Sequence, residues 1–213
     1  MPKMMMKPLW LLPLACLLAA CQPAEKTAAA ASATSATTPA TDAPFSGTDI
    51  RRETLGGDFT LTNGEGKPFS MSSLHGKVVL LSFGYTHCPD ICPTTLLTKM
   101  DVMKQLGEQS KEVAAVFVSV DPERDKPELI GRYARQFNPD FIGLTATGSQ
   151  DIQAVKKLYR VVSAKAQQQS ETVYLVDHSA GIYLLDKNGK AAVFEPYGKS
   201  AADIASDVKT LLK

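Results

Sequence analysis

Two apolar runs, Val78–Phe83 and Val113–Val120, each broken by a single serine, constrain this chain more than any other feature. A run that does not alternate has no solvent face. Such strands lie inside a sheet covered on both sides, as in parallel α/β folds. Between the two runs, Leu96, Leu97, Met100, Met103 and Leu106 recur at helical spacing within Pro93–Leu106. Strand, helix and buried strand therefore follow one another, which is the local grammar of a parallel sheet.

The remaining patterns extend this unit. Asp58–Thr62 and Pro68–Met71 flank the turn Asn63-Gly64-Glu65-Gly66 and predict a hairpin. Asp125-Lys126-Pro127-Glu128 has the form of a capping box opening a helix that runs to about Phe137. Phe141–Leu144 predicts a short strand and Ser149–Tyr159 a helix. Ile182–Leu185 and Ala191–Phe194, joined by Asp186-Lys187-Asn188-Gly189, predict a second hairpin, and Ser200 caps a final helix. Central parallel strands that finish in an antiparallel hairpin suggest an α/β fold. The expected form is a thioredoxin-like sandwich with a mixed central sheet, flanking helices and an extra N-terminal β-hairpin.

The start of the chain has another character. Lys3 and Lys7 precede an apolar run from Leu9 to Ala20. That run is too short for a membrane-crossing helix and the right size for a signal-peptide core. It ends in Leu18-Ala19-Ala20-Cys21, which resembles a bacterial lipobox, with Cys21 as the lipidated first residue of the mature chain. An ordinary cleavage near Ala20 is the alternative. Residues 1–20 are thus expected to be a lipoprotein signal peptide. Of the 23 residues from Gln22 to Pro44, 19 are Ala, Thr, Ser or Pro, too little apolar surface to offset chain entropy. Residues 21–49 are expected to be a flexible tether and residues 50–213 the folded domain. The expected location is the bacterial cell envelope, on a membrane by a lipid anchor and facing the periplasm.

Losing Lys3 and Lys7 with the leader leaves 21 basic against 22 acidic side chains, a net charge of −1. Such a balance lacks the broad basic surface of nucleic-acid binding proteins. Cys16 leaves with the leader and Cys21 is consumed by lipid, so Cys88 and Cys92 are the only thiols expected to remain. They stand four apart in Tyr85-Thr86-His87-Cys88-Pro89-Asp90-Ile91-Cys92-Pro93, after the first buried strand and at the start of its helix. Four-residue separation puts both sulfurs on one side of a helical turn, where they either pinch a metal ion or close a disulfide. The helix start is expected to stabilise thiolate and lower its pKa.

Three histidines are candidates for a third ligand. His75 reads as a surface turn residue, and His87 adjoins Cys88 but is expected to point away from a metal held by both sulfurs. His178 lies in Val176-Asp177-His178-Ser179, in the loop that a thioredoxin-like topology brings opposite the cysteines. It is either the third ligand or a satisfied core histidine.

Taken in order, Gly84–Pro93, Ser119-Val120-Asp121-Pro122-Glu123-Arg124-Asp125, Gly143-Leu144-Thr145 and Val176-Asp177-His178-Ser179 resemble the Sco/SenC family. The resemblance runs from about Phe59 to Leu212. It implies a membrane-tethered copper protein of cytochrome c oxidase assembly, with Cys88, Cys92 and His178 as copper ligands. The implied partners are the copper-centre subunit of the oxidase and a periplasmic copper donor. One departure stands out: many family members keep an uncleaved transmembrane anchor, where this chain carries a lipobox. The chemistry of the donors agrees, since two thiolates and an imidazole suit Cu(I) and tolerate Cu(II). Asp177 either orients the His178 ring or caps the local turn. Asp121–Asp125 serves helix capping, partner docking or support of the site. A metallochaperone is therefore favoured over an enzyme. A thiol–disulfide oxidoreductase acting on the oxidase cysteines and a copper or redox sensor are the alternatives. Val173–Ala180 lacks the proline that thioredoxin-type reductases place beside their cysteines.

Overall fold

In the structure, a computed structural model, residues 44–148, 150 and 152–213 are described. The leader, Cys21 and the tether as far as residue 43 lie outside the described residues. In chain order the strands and helices are β1 (Thr48–Asp49), β2 (Thr60–Asn63), β3 (Pro68–Ser70), β4 (Val78–Gly84), α1 (Ile91–Leu106), β5 (Val113–Ser119), α2 (Pro127–Arg135), β6 (Ile142–Thr145), α3 (Ile152–Leu158), β7 (Ser163–Ala166), β8 (Leu175–His178), β9 (Gly181–Leu185), β10 (Ala191–Pro196) and α4 (Ala201–Leu212).

Every residue of β4 and β5 is buried, and the two run parallel with Val78 opposite Val113 and Gly84 opposite Ser119. The sheet has eight strands in the order β1-β10-β9-β4-β5-β6-β2-β3. Strand β6 continues the parallel pairing from β5, and β9 pairs antiparallel with β4. The N-terminal hairpin β2–β3 is not an appendage, because β2 also pairs with β6 and extends the main sheet.

The two faces of β4 differ in chemistry. Ser82, which interrupts the apolar run, accepts a 2.6 Å hydrogen bond from the ammonium or amine of fully buried Lys99 on α1. On the opposite face Phe83, Tyr159 and Tyr183 form an aromatic cluster with centroids 5.5–6.2 Å apart. Helix α1 packs against α4, whose N-cap Ser200 accepts from the Asp203 amide as its sequence predicts.

Two expectations change. The tether drawn to residue 49 ends earlier: Phe45 is buried, the Ser46 and Gly47 amides donate to Asp207, and β1 pairs with β10. The capping box at Asp125 does not form. The N-cap of α2 is Lys126, without a side-chain cap bond, although Pro127 does occupy the first turn. Donors on Thr86 and Ser119 claim the Asp125 carboxylate instead.

Candidate metal centre

Strand β4 ends at Gly84, and after six intervening residues α1 begins at Ile91, two positions earlier than the apolar spacing predicts. Cys92 thereby falls inside the first turn and faces the sheet, 2% exposed, while Cys88 in the preceding turn is half-buried. Both are free thiols. The Cys92 amide, one of the unpaired N–H groups of a helix start, donates to Cys88 Sγ at 3.4 Å.

The turn between strand and helix is held from below. Asp125 is fully buried and accepts from the Thr86 amide at 3.0 Å, the Thr86 hydroxyl at 2.5 Å and the Ser119 hydroxyl at 2.6 Å. Burial pushes its carboxyl pKa upward, and these bonds oppose the rise. Three converging donors, two from half-buried Thr86 and one from buried Ser119, explain why a residue with the local pattern of a cap is drawn away from its helix.

The imidazole arrives from elsewhere. His178 is the last residue of β8, which among the described residues pairs only with β7 in a small two-stranded sheet, Ser163 opposite His178. The sequence alone predicts a loop at His178, where the structure has the end of a strand. Its position opposite the cysteines is nevertheless as expected. Nε2 of His178 lies 3.3 Å from Cys92 Sγ, and the ligand atoms of Cys88, Cys92 and His178 all lie within 4.8 Å of one another. On the far side of the ring, Nδ1 lies 3.0 Å from the Ser179 carbonyl. A carbonyl only accepts, so Nδ1 is the donor of that bond, which leaves Nε2 turned to the sulfurs.

Asp177, weighed as the group orienting this ring, is exposed, and the bond on the ring's far side comes from Ser179 instead. Alternation along β8 sends the Asp177 side chain to the opposite face from its neighbour. His87 is half exposed, with Nδ1 3.0 Å from the Thr86 hydroxyl and 3.8 Å from Asp125, and it does not join the cluster. His75 sits at the end of a 3-10 turn remote from the cysteines in sequence, also outside the cluster.

The acidity expected of a helix-start thiol is reversed at Cys92. Burial pushes its pKa up, with the nearby Cys88 and Asp125 adding to the rise. The helix terminus cannot make up for the loss of water around a thiolate, so this sulfur stays protonated until something replaces that water. A cation bound between the sulfurs would do so. The donor set fits a soft or borderline ion: two sulfurs and one imidazole nitrogen, three donors rather than the closed four of structural zinc sites.

Sequence reasoning missed two further contributors. Tyr85, 2% exposed, accepts a hydrogen bond from the Val176 amide at 3.1 Å and sets its ring edge-on to His178, centroids 5.9 Å apart. Gly84 leaves the space into which the Cys92 sulfur packs. Both lay in plain sight beside the cysteines, but their partners are distant in sequence.

Fold and cluster together define a class: thioredoxin-like proteins whose CxxxC pair is completed by a histidine from a separate strand. Comparison with known proteins narrows it. The family profile described as SCO1/SenC matches residues 47–213. An "SCO2-like protein" of Rickettsia felis is 38% identical over 137 residues, 64% of this chain and 66% of the relative, so the chain spans just under two thirds of that relative's length. The structure of Bradyrhizobium japonicum ScoI with copper bound is 39% identical and covers 74% of this chain and 99% of its own, with a TM-score of 0.68. BsSco, described with a disulfide switch and as a member of the Sco family of cytochrome c oxidase assembly proteins, is 27% identical with a TM-score of 0.58, covering 78% and 95%. The chain belongs to the SCO1/SenC family.

Proposed function

We propose that this protein is a copper metallochaperone, anchored to a membrane through lipid on Cys21, that assists assembly of the copper centre of cytochrome c oxidase. Copper is its cargo, held by Cys88, Cys92 and His178. The observation that carries the reading is the convergence of these three donors within 4.8 Å, with His178 Nε2 turned to the sulfurs. Copper bound to the Bradyrhizobium relative supports it. In this reading Cys88, the more exposed sulfur, meets the partner first. Cys92 and His178 close the site from within, and three donors rather than four leave a side open for transfer. A periplasmic copper donor loads the site, and the oxidase subunit that carries the copper centre receives the ion.

A second reading rests on the adjacency of two free thiols and on the disulfide switch described for BsSco. Here Cys88 attacks a disulfide of the oxidase subunit and Cys92 resolves the mixed disulfide. The partner gains two electrons and two protons, and a Cys88–Cys92 disulfide remains. The imidazole is unnecessary for that exchange, so His178 separates the readings. Delivery predicts that His178→Ala cells lose oxidase activity nearly as severely as a double cysteine variant, with partial recovery in ample copper. Normal oxidase activity in His178→Ala at limiting copper would sink delivery in favour of thiol exchange. In vitro, the reduced protein should bind about one copper and the Cys88–Cys92 disulfide none. Anchoring is tested separately: Cys21→Ser should abolish incorporation of labelled palmitate, and an unlabelled wild type would remove the anchor.

A further inference from the structure

Among the described residues, the hairpin that carries His178 has no ladder to the main sheet, so side chains must hold the imidazole against the cysteines. We propose that Arg124 is the positioning residue for His178, clamping the β7–β8 hairpin to the same short segment that fixes the cysteine turn.

Arg124 reaches the hairpin in three ways. Its Nη1 donates to the Tyr174 carbonyl at 2.9 Å and to the Thr172 carbonyl at 3.3 Å, just ahead of β8. Its guanidinium lies 3.6 Å from the centroid of the Tyr174 ring. Its Nε donates to Asp121 Oδ2 at 2.6 Å, and the other oxygen of that carboxylate accepts from the Tyr174 hydroxyl at 2.9 Å. Asp121 is 3% exposed and the Arg124 side chain 12%, so these are screened far less than surface pairs. A planar guanidinium can stack, pair and donate to carbonyls at once; an ammonium cannot. The remaining ion pair to the hairpin, Lys165 to Glu123, is exposed and contributes little.

One residue further on, Asp125 holds Thr86 in the cysteine turn. The Asp121–Asp125 segment thus grips both halves of the cluster, thiols on one side and imidazole on the other. The role left open for this motif by sequence alone is, on this geometry, to set the separation between Cys92 and His178.

The test uses the full-length reduced protein, as wild type, Arg124→Gln and Arg124→Lys. The first readout needs no metal. Proton NOEs between the Tyr85 and His178 rings should be present in the wild type and lost in Arg124→Gln, while amide protection in β4 and β5 is retained. The second readout rests on the copper-ligand reading above. Arg124→Gln should weaken copper binding about 10- to 100-fold, the range for losing a residue that orients a ligand. In a His178→Ala background the same change should cost little more, because the residue it positions is gone. Arg124→Lys keeps the charge but not the fork and should move both readouts the same way by less, and it decides the matter if Arg124→Gln fails to fold. Retained NOEs with wild-type affinity, or an equal loss of affinity with and without His178, would overturn the clamp. Loss of the NOEs beside a His178→Ala variant that binds copper as the wild type does would uphold the clamp and sink the copper-ligand reading.

Discussion

At Gly84 the site tolerates no side chain. A Cβ there would stand 2.5 Å from Cys92 Sγ and 2.7 Å from the Phe117 ring, distances at which something must shift. The sulfur is flanked by β4, and the ring belongs to a strand buried along its whole length, so neither has room to retreat. Gly84→Ala should therefore displace Cys92 from His178 and overpack the core. The expected cost is about 1–3 kcal/mol of stability, with weakened copper binding in whatever fraction folds. Thermal unfolding and a copper titration on the same preparation check both, and a wild-type melting temperature would contradict the packing argument. Lys99 poses the opposite problem, a titratable head inside the core. Its amine donates to the Ser82 hydroxyl and to the Val116 carbonyl at 2.8 Å, and burial lowers its pKa well below the usual lysine range. Among the described residues no carboxylate accompanies it, so burial disfavours its charged form.

Helix α4 shows how far a local pattern can be trusted. Ser200 reads as an N-cap and accepts from the Asp203 amide at 3.1 Å. Ser200→Ala should cost about 0.5–2 kcal/mol, read as a fall in melting temperature with copper binding unchanged. The same grammar misleads at Asp125, because Thr86 stands 39 positions away and no local reading shows that its amide and hydroxyl need a buried acceptor. Strands β4 and β5 were legible because burial on both faces writes itself into the composition. Strands β7 and β8 were not: Ser163-Ala164-Lys165-Ala166 is short, weakly apolar and largely exposed. His178 was found from topology without the strand that carries it. The raised acidity threshold of Cys92 was illegible for a related reason, since helix-start position is written in sequence and depth is not.

For the molecule as a whole, two buried groups give the pH dependence of stability opposite slopes. The Glu195 carboxyl is 1% exposed, and neither of its oxygens has a hydrogen-bond partner among the described residues. Burial first, then Asp207, raises its pKa to about 8, with Lys199 opposing and Asp203 adding to the rise. The folded state holds that proton more tightly than the unfolded chain, so this contribution falls as pH climbs from the ordinary glutamate range through about 8. Lys99 acts the other way. The unfolded chain binds its proton more tightly, so acidification below the usual lysine range favours unfolding. Glu195→Gln should stabilise the protein more at pH 9 than at pH 6, and Lys99→Met more at pH 6 than at pH 9. Denaturant melts at both values would show crossed gains, and parallel gains would contradict the assignment.

The separate hairpin also sets an order of completion. Cys88 and Cys92 become neighbours as soon as β4 leads into the first turn of α1. His178 comes from 86 positions beyond Cys92, on strands whose attachment depends on side chains rather than on a ladder. A chain emerging N-terminus first therefore presents two thiols, open to oxidation or to stray metal, well before the imidazole is in place. If the proposed copper site is right, its third donor arrives last, and retention of the ion would double as a check on the fold: a half-finished molecule would have the grip of a loose dithiol, and only a finished one could carry cargo.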